Sequence, residues 1–384
     1  MRRIWPLVTI LLLAISLPAR GAGPPLTIGV SLSLTGRYQT MGRMQQRGFS
    51  LWVRDVNRWG GLLGRKVRLL LKDDASNPAK AARIYRRLIE KKRVSLLFGP
   101  YSSAITEAVL PVVERHHYPL LVSGASADRL WRKGYRYAFG VYTPASKYAV
   151  GFLELLVKHG LQRLAILSAD DSFSRSLSQS VLEWAGRLRL EVVFLETFRK
   201  GSKKLAPLVR RARRAGTQVL LVCGHLEESL NILDALAAIS WKPRALYASV
   251  GPATGQFHRL AGARAEGVFS SSLWEPQVGC NFPRGKRFIQ EFRRTYHMSP
   301  SYHAAAAYAA GMILEAALKG ATRLDRERLR DTLATMDTMT LIGRYGVDRH
   351  GRQIRHFPLI IQWQDGKKQI VWPEGLRTAQ ARFD

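Results

Sequence analysis

Short apolar runs alternate with amphipathic stretches along most of this chain, and the contrast between alternating and helical spacing assigns the elements. Leu26-Thr27-Ile28-Gly29-Val30 reads as a first strand, running into the polar turn Ser33-Leu34-Thr35-Gly36. Residues 42–59 place Phe49, Val53 and Val56 near helical spacing, and Gly60-Gly61 stops that helix. A second strand over 66–71 ends in Lys72-Asp73-Asp74, and Ser76-Asn77-Pro78 opens a helix over 79–92. Strand and helix alternate again through residue 126, the signature of a parallel sheet.

The alternation then restarts. Residues 136–141 read as a connecting strand and Thr143-Pro144 as a crossover. Strands follow at 164–167, 190–195, 219–222 and 245–248, with helices over 174–187, 203–215 and 227–239. A strand over 268–273 leads into Trp274-Glu275-Pro276, a second crossover, before helices over 284–296 and 302–318. The tail carries Gly343-Arg344-Tyr345-Gly346-Val347-Asp348 and a hairpin, 358–363 with 369–371, around Asp365-Gly366-Lys367. Two βα assemblies in series predict an α/β protein of two Rossmann-like lobes with a cleft between carboxyl-end loops.

One stretch, 95–126, concentrates the binding potential. Its apolar run Ser95-Leu96-Leu97-Phe98 breaks at Gly99-Pro100-Tyr101-Ser102-Ser103, where an alanine-rich helix begins. A second run, Pro119-Leu120-Leu121-Val122, breaks at Ser123-Gly124-Ala125-Ser126. Both elbows fall at strand carboxyl ends, where open α/β sheets bind ligands. The first also opens a helix, whose amides attract an anion. The plainer role for Ser102 or Ser103 is to cap that helix.

The N-terminus adds a compartment. Met1-Arg2-Arg3, an apolar run over 7–17 and the small residues of Pro18-Ala19-Arg20-Gly21-Ala22 lay out a secretory signal over residues 1–22. An exported, periplasmic product is expected. At 384 residues the chain is long enough for two lobes. Export permits a disulfide between Cys223 and Cys280, but Cys223 closes a core strand, where a free thiol is common. The net charge of +32 is spread along helix faces such as Arg83, Arg86, Arg87, Lys91 and Lys92. No nucleic-acid motif accompanies it, so a solvated basic surface is the expectation and a nucleic-acid partner is not.

Several stretches resemble the type I periplasmic binding proteins, within them the leucine/isoleucine/valine-binding family that feeds ABC importers. They are Leu34-Thr35-Gly36; Asn57 with Gly60-Gly61-Leu62-Leu63-Gly64-Arg65-Lys66-Val67; Asp73-Asp74 with Asn77-Pro78; Phe98-Gly99-Pro100-Tyr101-Ser102-Ser103; and Leu341-Ile342-Gly343 before Gly346-Val347-Asp348. The resemblance implies two lobes joined by three crossovers, residues 25–143 plus 276–342 and residues 144–275 plus 343–373, with 374–384 as a tail. It implies a ligand trapped by hinge closure, a membrane permease as partner, and a monomer without cofactor or metal. Carried over by motif, the ligand residues are Tyr101, Ser102 and Ser103 at the first elbow and Gly124, Ala125 and Ser126 at the second. Phe173 and His225 stand where the family has aromatic, often tyrosyl, residues in the second lobe. Trp274, Tyr302 and Tyr38 are further candidate walls.

One departure bears on the ligand. Amino-acid binders of the family carry an acid near Ser249-Val250-Gly251-Pro252 to pair the ligand ammonium, and none occurs here. Either Asp170 or Asp171 substitutes, or the ligand is an organic acid, amide or aromatic acid. A sensor module of the same fold is the alternative function. Catalysis has little support: Gly124-Ala125-Ser126-Ala127-Asp128 lacks the last glycine of a nucleophile elbow, and His116-His117 has no metal-ligand spacing around it.

Overall fold

A computed structural model describes residues 23–384, so the signal expected over 1–22 lies outside the described residues. The first lobe is built on β1 (Leu26–Leu32), α1 (Gln39–Arg58), β2 (Val67–Asp73), α2 (Pro78–Glu90), β3 (Leu96–Phe98), α3 (Ser103–Arg115), β4 (Leu120–Val122) and β5 (Ala138–Gly140). The second contains α4 (Val150–Lys158), β6 (Arg163–Ala169), α5 (Ser172–Arg187), β7 (Glu191–Phe198), α6 (Ala206–Arg214) and β8 (Val219–Cys223). It continues through α7 (Leu226–Ala238), β9 (Ala245–Ala248), α8 (Gly255–Ala261) and β10 (Phe269–Ser272). The chain then passes through α9 (Pro276–Gly279), α10 (Gly285–Tyr296), α11 (Tyr302–Ala317), α12 (Arg326–Thr335), β11 (Thr338–Thr340) and β12 (Gly343–Tyr345). The hairpin β13 (Leu359–Gln364) and β14 (Lys367–Trp372) closes it.

The first sheet has the order β2-β1-β3-β4-β5, parallel throughout. The second runs β14-β13-β10-β9-β8-β6-β7, parallel from β10 to β7 and antiparallel at the hairpin. Read from its other edge, the parallel part repeats the plan of the first sheet: its first strand lies between its second and third. The strand order therefore reverses beside β1 in one lobe and beside β6 in the other, and crevices form at such switch points. The chain crosses between lobes after β5, after β10 and after β12.

Close packing fixes the helix that borders the cleft. α11 is buried nearly all round, with alanines from Ala304 to Ala307, and α1 crosses it. At Gly48 an added Cβ would sit 2.1 Å from the Ala304 carbonyl oxygen, so only glycine allows this approach. Trp52 Nε1 then donates to Glu315 Oε1 at 2.7 Å, fixing the rotation of α11.

Several elements differ from the periodicity. α1 starts at Gln39 rather than at 42, because Gly42 N–H already bonds the Tyr38 carbonyl. β7 extends to Phe198 because its pairing with β6 continues that far. The strand expected over 136–141 is only Ala138–Gly140. α12 and the β11–β12 pair had no counterpart in the pattern. Cys223 is buried and Cys280 half-buried, and both are free thiols. Burial pushes the Cys223 thiol up. No helix among the described residues is long and apolar enough to cross a membrane.

Candidate ligand cleft between the lobes

The two elbows of the first lobe are tied to each other. Ser126 N–H and Ala127 N–H donate to Ser103 Oγ at 3.2 and 3.0 Å, and Ser102 N–H donates to the Gly124 carbonyl at 2.9 Å. A Cβ on Gly124 would lie 2.4 Å from the Pro100 carbonyl oxygen, so glycine permits the elbows to touch. Ser102 is the cap of α3: its Oγ accepts from Ile105 N–H at 3.3 Å. Capping thus falls to Ser102, while Ser103 Oγ accepts two amides and keeps its hydroxyl proton to donate. The amides of Ser103, Ala104, Gly124 and Ala125 have no acceptor among the described residues. Ser126 Oγ shares a hydrogen bond of 2.7 Å with Tyr148 OH, which leaves one of the two hydroxyl protons unused.

The second lobe supplies the opposite wall from its own switch point. Asp171 caps α5, accepting from Phe173 N–H, Ser174 N–H and Ser174 Oγ, and Lys200 Nζ reaches its Oδ2 at 2.7 Å. Burial alone would raise this carboxyl, but neighbouring His225 and the Lys200 ammonium hold it well below the usual carboxylate range. Lys200 in turn is raised: burial pulls it down, and the Asp171 charge outweighs that. The buried Glu228 is equally engaged, accepting from His225 N–H at 2.9 Å and Gly201 N–H at 3.0 Å. Asp170 turns outward and accepts from Lys200 N–H.

Aromatic rings close the space between these walls. Tyr38, after β1, lies 5.5 Å from the Tyr101 ring and 5.1 Å from the His225 ring, and Lys200 Nζ sits 4.9 Å over it. Phe173 packs 5.3 Å from His225 and 5.5 Å from Tyr148. His303, at the start of α11, lies 5.4 Å from Tyr101 and stacks on Tyr302 at 4.0 Å. Burial pushes His303 down to about 3, with the charges of His225 and Lys368 acting the same way. Lobe-to-lobe bonds fasten one flank: Ser176 Oγ donates to Asp128 Oδ2 at 2.9 Å. On the other side a cleft of about 710 Å³ reaches Thr40, Met44 and Ser301 from one lobe and Thr254, Glu275 and Lys368 from the other.

Of the residues singled out from the sequence, Tyr101 meets His225 and Ser126 meets Tyr148 across the lobes, Phe173 packs beside His225, and Ser102, Ser103, Gly124 and Ala125 form the joined elbows of the first lobe; none of these lines the 710 Å³ cleft. Tyr38 and Tyr302 join them. Trp274 does not, packing instead against Phe288 in the core. Sequence reasoning passed over Tyr142, Tyr148, Lys200 and His303. The tyrosines flank the Thr143-Pro144 crossover and His303 follows Tyr302 at a helix start, so hinge-adjacent aromatics were the signal available. Lys200 sits in a loop with no motif. Among the described residues no three His, Cys, Asp or Glu side chains gather as a metal site.

Comparison with known proteins follows the same outline. The Leu/Ile/Val-binding protein homolog 8 of Brucella abortus (strain 2308) is 27% identical over 372 residues, 91% of each chain. The structure of the leucine-binding protein LivK from Thermotoga maritima superposes with a TM-score of 0.83 at 22% identity, covering 90% of this chain and 97% of that one. A solute-binding protein of an ABC transporter from R. palustris, solved with benzoate, gives a TM-score of 0.80 at 18% identity, covering 94% and 97%. A family profile described as periplasmic binding protein matches residues 25–368. With two Rossmann-like lobes, three crossovers and that match over most of its length, the chain belongs to the periplasmic binding protein family, in its type I, leucine/isoleucine/valine-binding branch.

Proposed function

We propose that this protein is the periplasmic solute-binding component of an ABC importer and that its ligand is a small organic acid without an α-ammonium group. The lobe of residues 25–143 plus 276–342 closes on that of residues 144–275 plus 343–373, and a membrane permease receives the closed form. Ligand favours closure by its greater affinity for the closed state.

The observation that carries the ligand class is the state of the acids. Asp171 and Glu228 already answer Lys200, the α5 amides, Gly201 and His225, so neither is free to meet a ligand ammonium. An ammonium buried there without its own carboxylate would be costly. Across the cleft, the Ser103 hydroxyl, the α3 amides and the second elbow present donors to an anion. The benzoate-binding structural relative supports a carboxylate without an amine on this fold.

Calorimetric titration of organic acids, amides and amino acids tests the reading. A carboxylate should bind at least ~10-fold more tightly than leucine or any other plain amino acid. Ser103→Ala should weaken it by ~10-fold or more, one charge-assisted hydrogen bond. Tight leucine binding with no response to carboxylates would overturn it.

A further inference from the structure

Two buried polar atoms of the interlobe aromatic cluster, Tyr142 OH and His303 Nε2, have no hydrogen-bond partner, whereas the nearby His225 Nε2 faces Asp171 Oδ1 at 3.7 Å. Buried polar groups are ordinarily satisfied, so orphans gathered in one place call for a partner that arrives from outside. They belong to one cluster. Tyr142 packs 6.4 Å from His303 and 5.6 Å from Tyr302, and Tyr101 bridges His303 to His225. The surroundings are ring faces and edges, with Phe173 and Tyr38 completing them. Such walls suit a flat apolar body that packs edge-to-face or offset against them.

The chemistry of the orphans narrows the polar end of that body. His303 stays neutral because it is buried, with His225 and Lys368 adding to the effect, so it is no counter-ion for a second carboxylate. Tyr142 stays a neutral phenol for the same reason, burial first and the neighbouring Tyr101 and Tyr148 next. His303 Nδ1 lies 3.4 Å from Ser301 Oγ, and its Nε2 accepts or donates according to the tautomer that contact selects. A neutral imidazole nitrogen and a phenol, one able to take a proton and the other to give one, match a hydroxyl, which does both. An ammonium finds no free carboxylate beside them: Glu275 is held by Lys368 Nζ at 2.7 Å.

We propose that the ligand is a hydroxylated aromatic acid, and that His303 and Tyr142 set specificity by reading its ring hydroxyl. This rests on the organic-acid reading of the same cleft. The elbows hold the carboxylate, the rings sandwich the aromatic body, and the orphaned atoms gain partners on closure. A site built to bond a hydroxyl discriminates against the analogue that lacks it, because its own buried groups are then left unpaired.

Titration calorimetry with 3-hydroxybenzoate, 4-hydroxybenzoate, benzoate and cyclohexanecarboxylate tests this, with leucine as the amino-acid probe. At least one hydroxybenzoate should bind wild type ~10-fold or more above benzoate, about the worth of one hydrogen bond. His303→Phe and Tyr142→Phe should each erase most of that preference, read as the ratio of hydroxybenzoate to benzoate affinity within each variant, with melting curves confirming the fold. Equal binding of benzoate and both hydroxybenzoates, or a preference that survives both substitutions, overturns the inference. If cyclohexanecarboxylate alone binds, the hydroxyaromatic assignment fails and the organic-acid reading stands. If leucine alone binds, both fail.

Discussion

On the first-lobe side of the cleft, Ser103, Ser126 and the α3 amides present uncharged donors whose capacity is not exhausted. On the second-lobe side, Asp171, Lys200 and Glu228 are ionic but answered by one another. Both walls stand at the strand-order reversal of a sheet with the same plan, so topology does not distinguish them. The side chains do. One lobe keeps donors available for an anion, and the other keeps its charges in internal pairs that hold the wall's shape. Charge count alone would have pointed to the second wall as the binding surface. Hydrogen-bond bookkeeping points to the first.

The largest expected effect comes from breaking the internal pair. Asn at 171 still caps a helix, so Asp171→Asn isolates the charge from the cap. It leaves Lys200, 13% exposed, without its counter-ion. Loss of one partner of such a pair costs about 3–5 kcal/mol. Urea denaturation of the ligand-free protein should show a loss in that range, and Asp171→Asn with Lys200→Met should recover more than half. A single variant as stable as wild type would mean that the pair is solvated and that the two walls are not different in kind.

Acid separates the walls next. Because burial pushes His303 down to about 3, the folded protein refuses a proton that the unfolded chain accepts below about 6.5. The unfolded state then binds more protons, so stability falls as pH drops from about 6.5 towards 3. Asp171 has the opposite shift with respect to its charge. Its contribution is whole above the unfolded carboxyl value, about 3.9, and is lost only as pH falls below that. The His303 side should therefore weaken in mild acid while the Asp171 side holds. Between pH 7 and 5 wild type should lose about 2 kcal/mol on account of His303, and His303→Gln should lose less by about that amount. His356, pushed down to about 4 by burial, adds the same sign in both proteins and cancels in the difference. Parallel pH profiles for the two proteins would place His303 outside the buried wall.

How far the sequence went follows the same division. The paired elbows were legible because a strand end, a glycine and a hydroxyl residue are adjacent in sequence, and Gly124 has to be glycine for a local reason. The βα alternation likewise depends on neighbours within one element. Lys200 and His303 were not legible. Lys200 meets Asp171 only because β7 and β6 pair in parallel, and His303 meets Tyr101 only because α11 docks on α1 through Gly48 and Ala304. The saturation of Asp171 was hidden for the same reason: an acid's partners are a property of packing. The missing acid near Gly251 did show in the sequence, while the hydrogen bonds that engage Asp170 and Asp171 did not.

The smallest expected effect tests whether the surface field competes with the elbows. α2 and its C-cap expose Arg83, Arg86, Arg87 and Lys91, and the one acid of the helix, Glu90, faces His116 at 3.2 Å. Arg87 and Lys91 lie about 13–20 Å along the axis from Pro78, whose end of the helix is nearest the cleft. Screening at physiological salt falls off over about 8 Å, so these cations contribute little to an anion between the lobes. Arg87→Glu with Lys91→Glu should leave unfolding stability within about 0.5 kcal/mol and Kd for the carboxylate within about twofold at 0.15 M salt. The shift should grow at low ionic strength, where the field reaches further. A tenfold loss at 0.15 M would mean that the basic surface as a whole, rather than uncharged donors at two elbows, holds the anion, and the contrast between the walls would lose its consequence for binding.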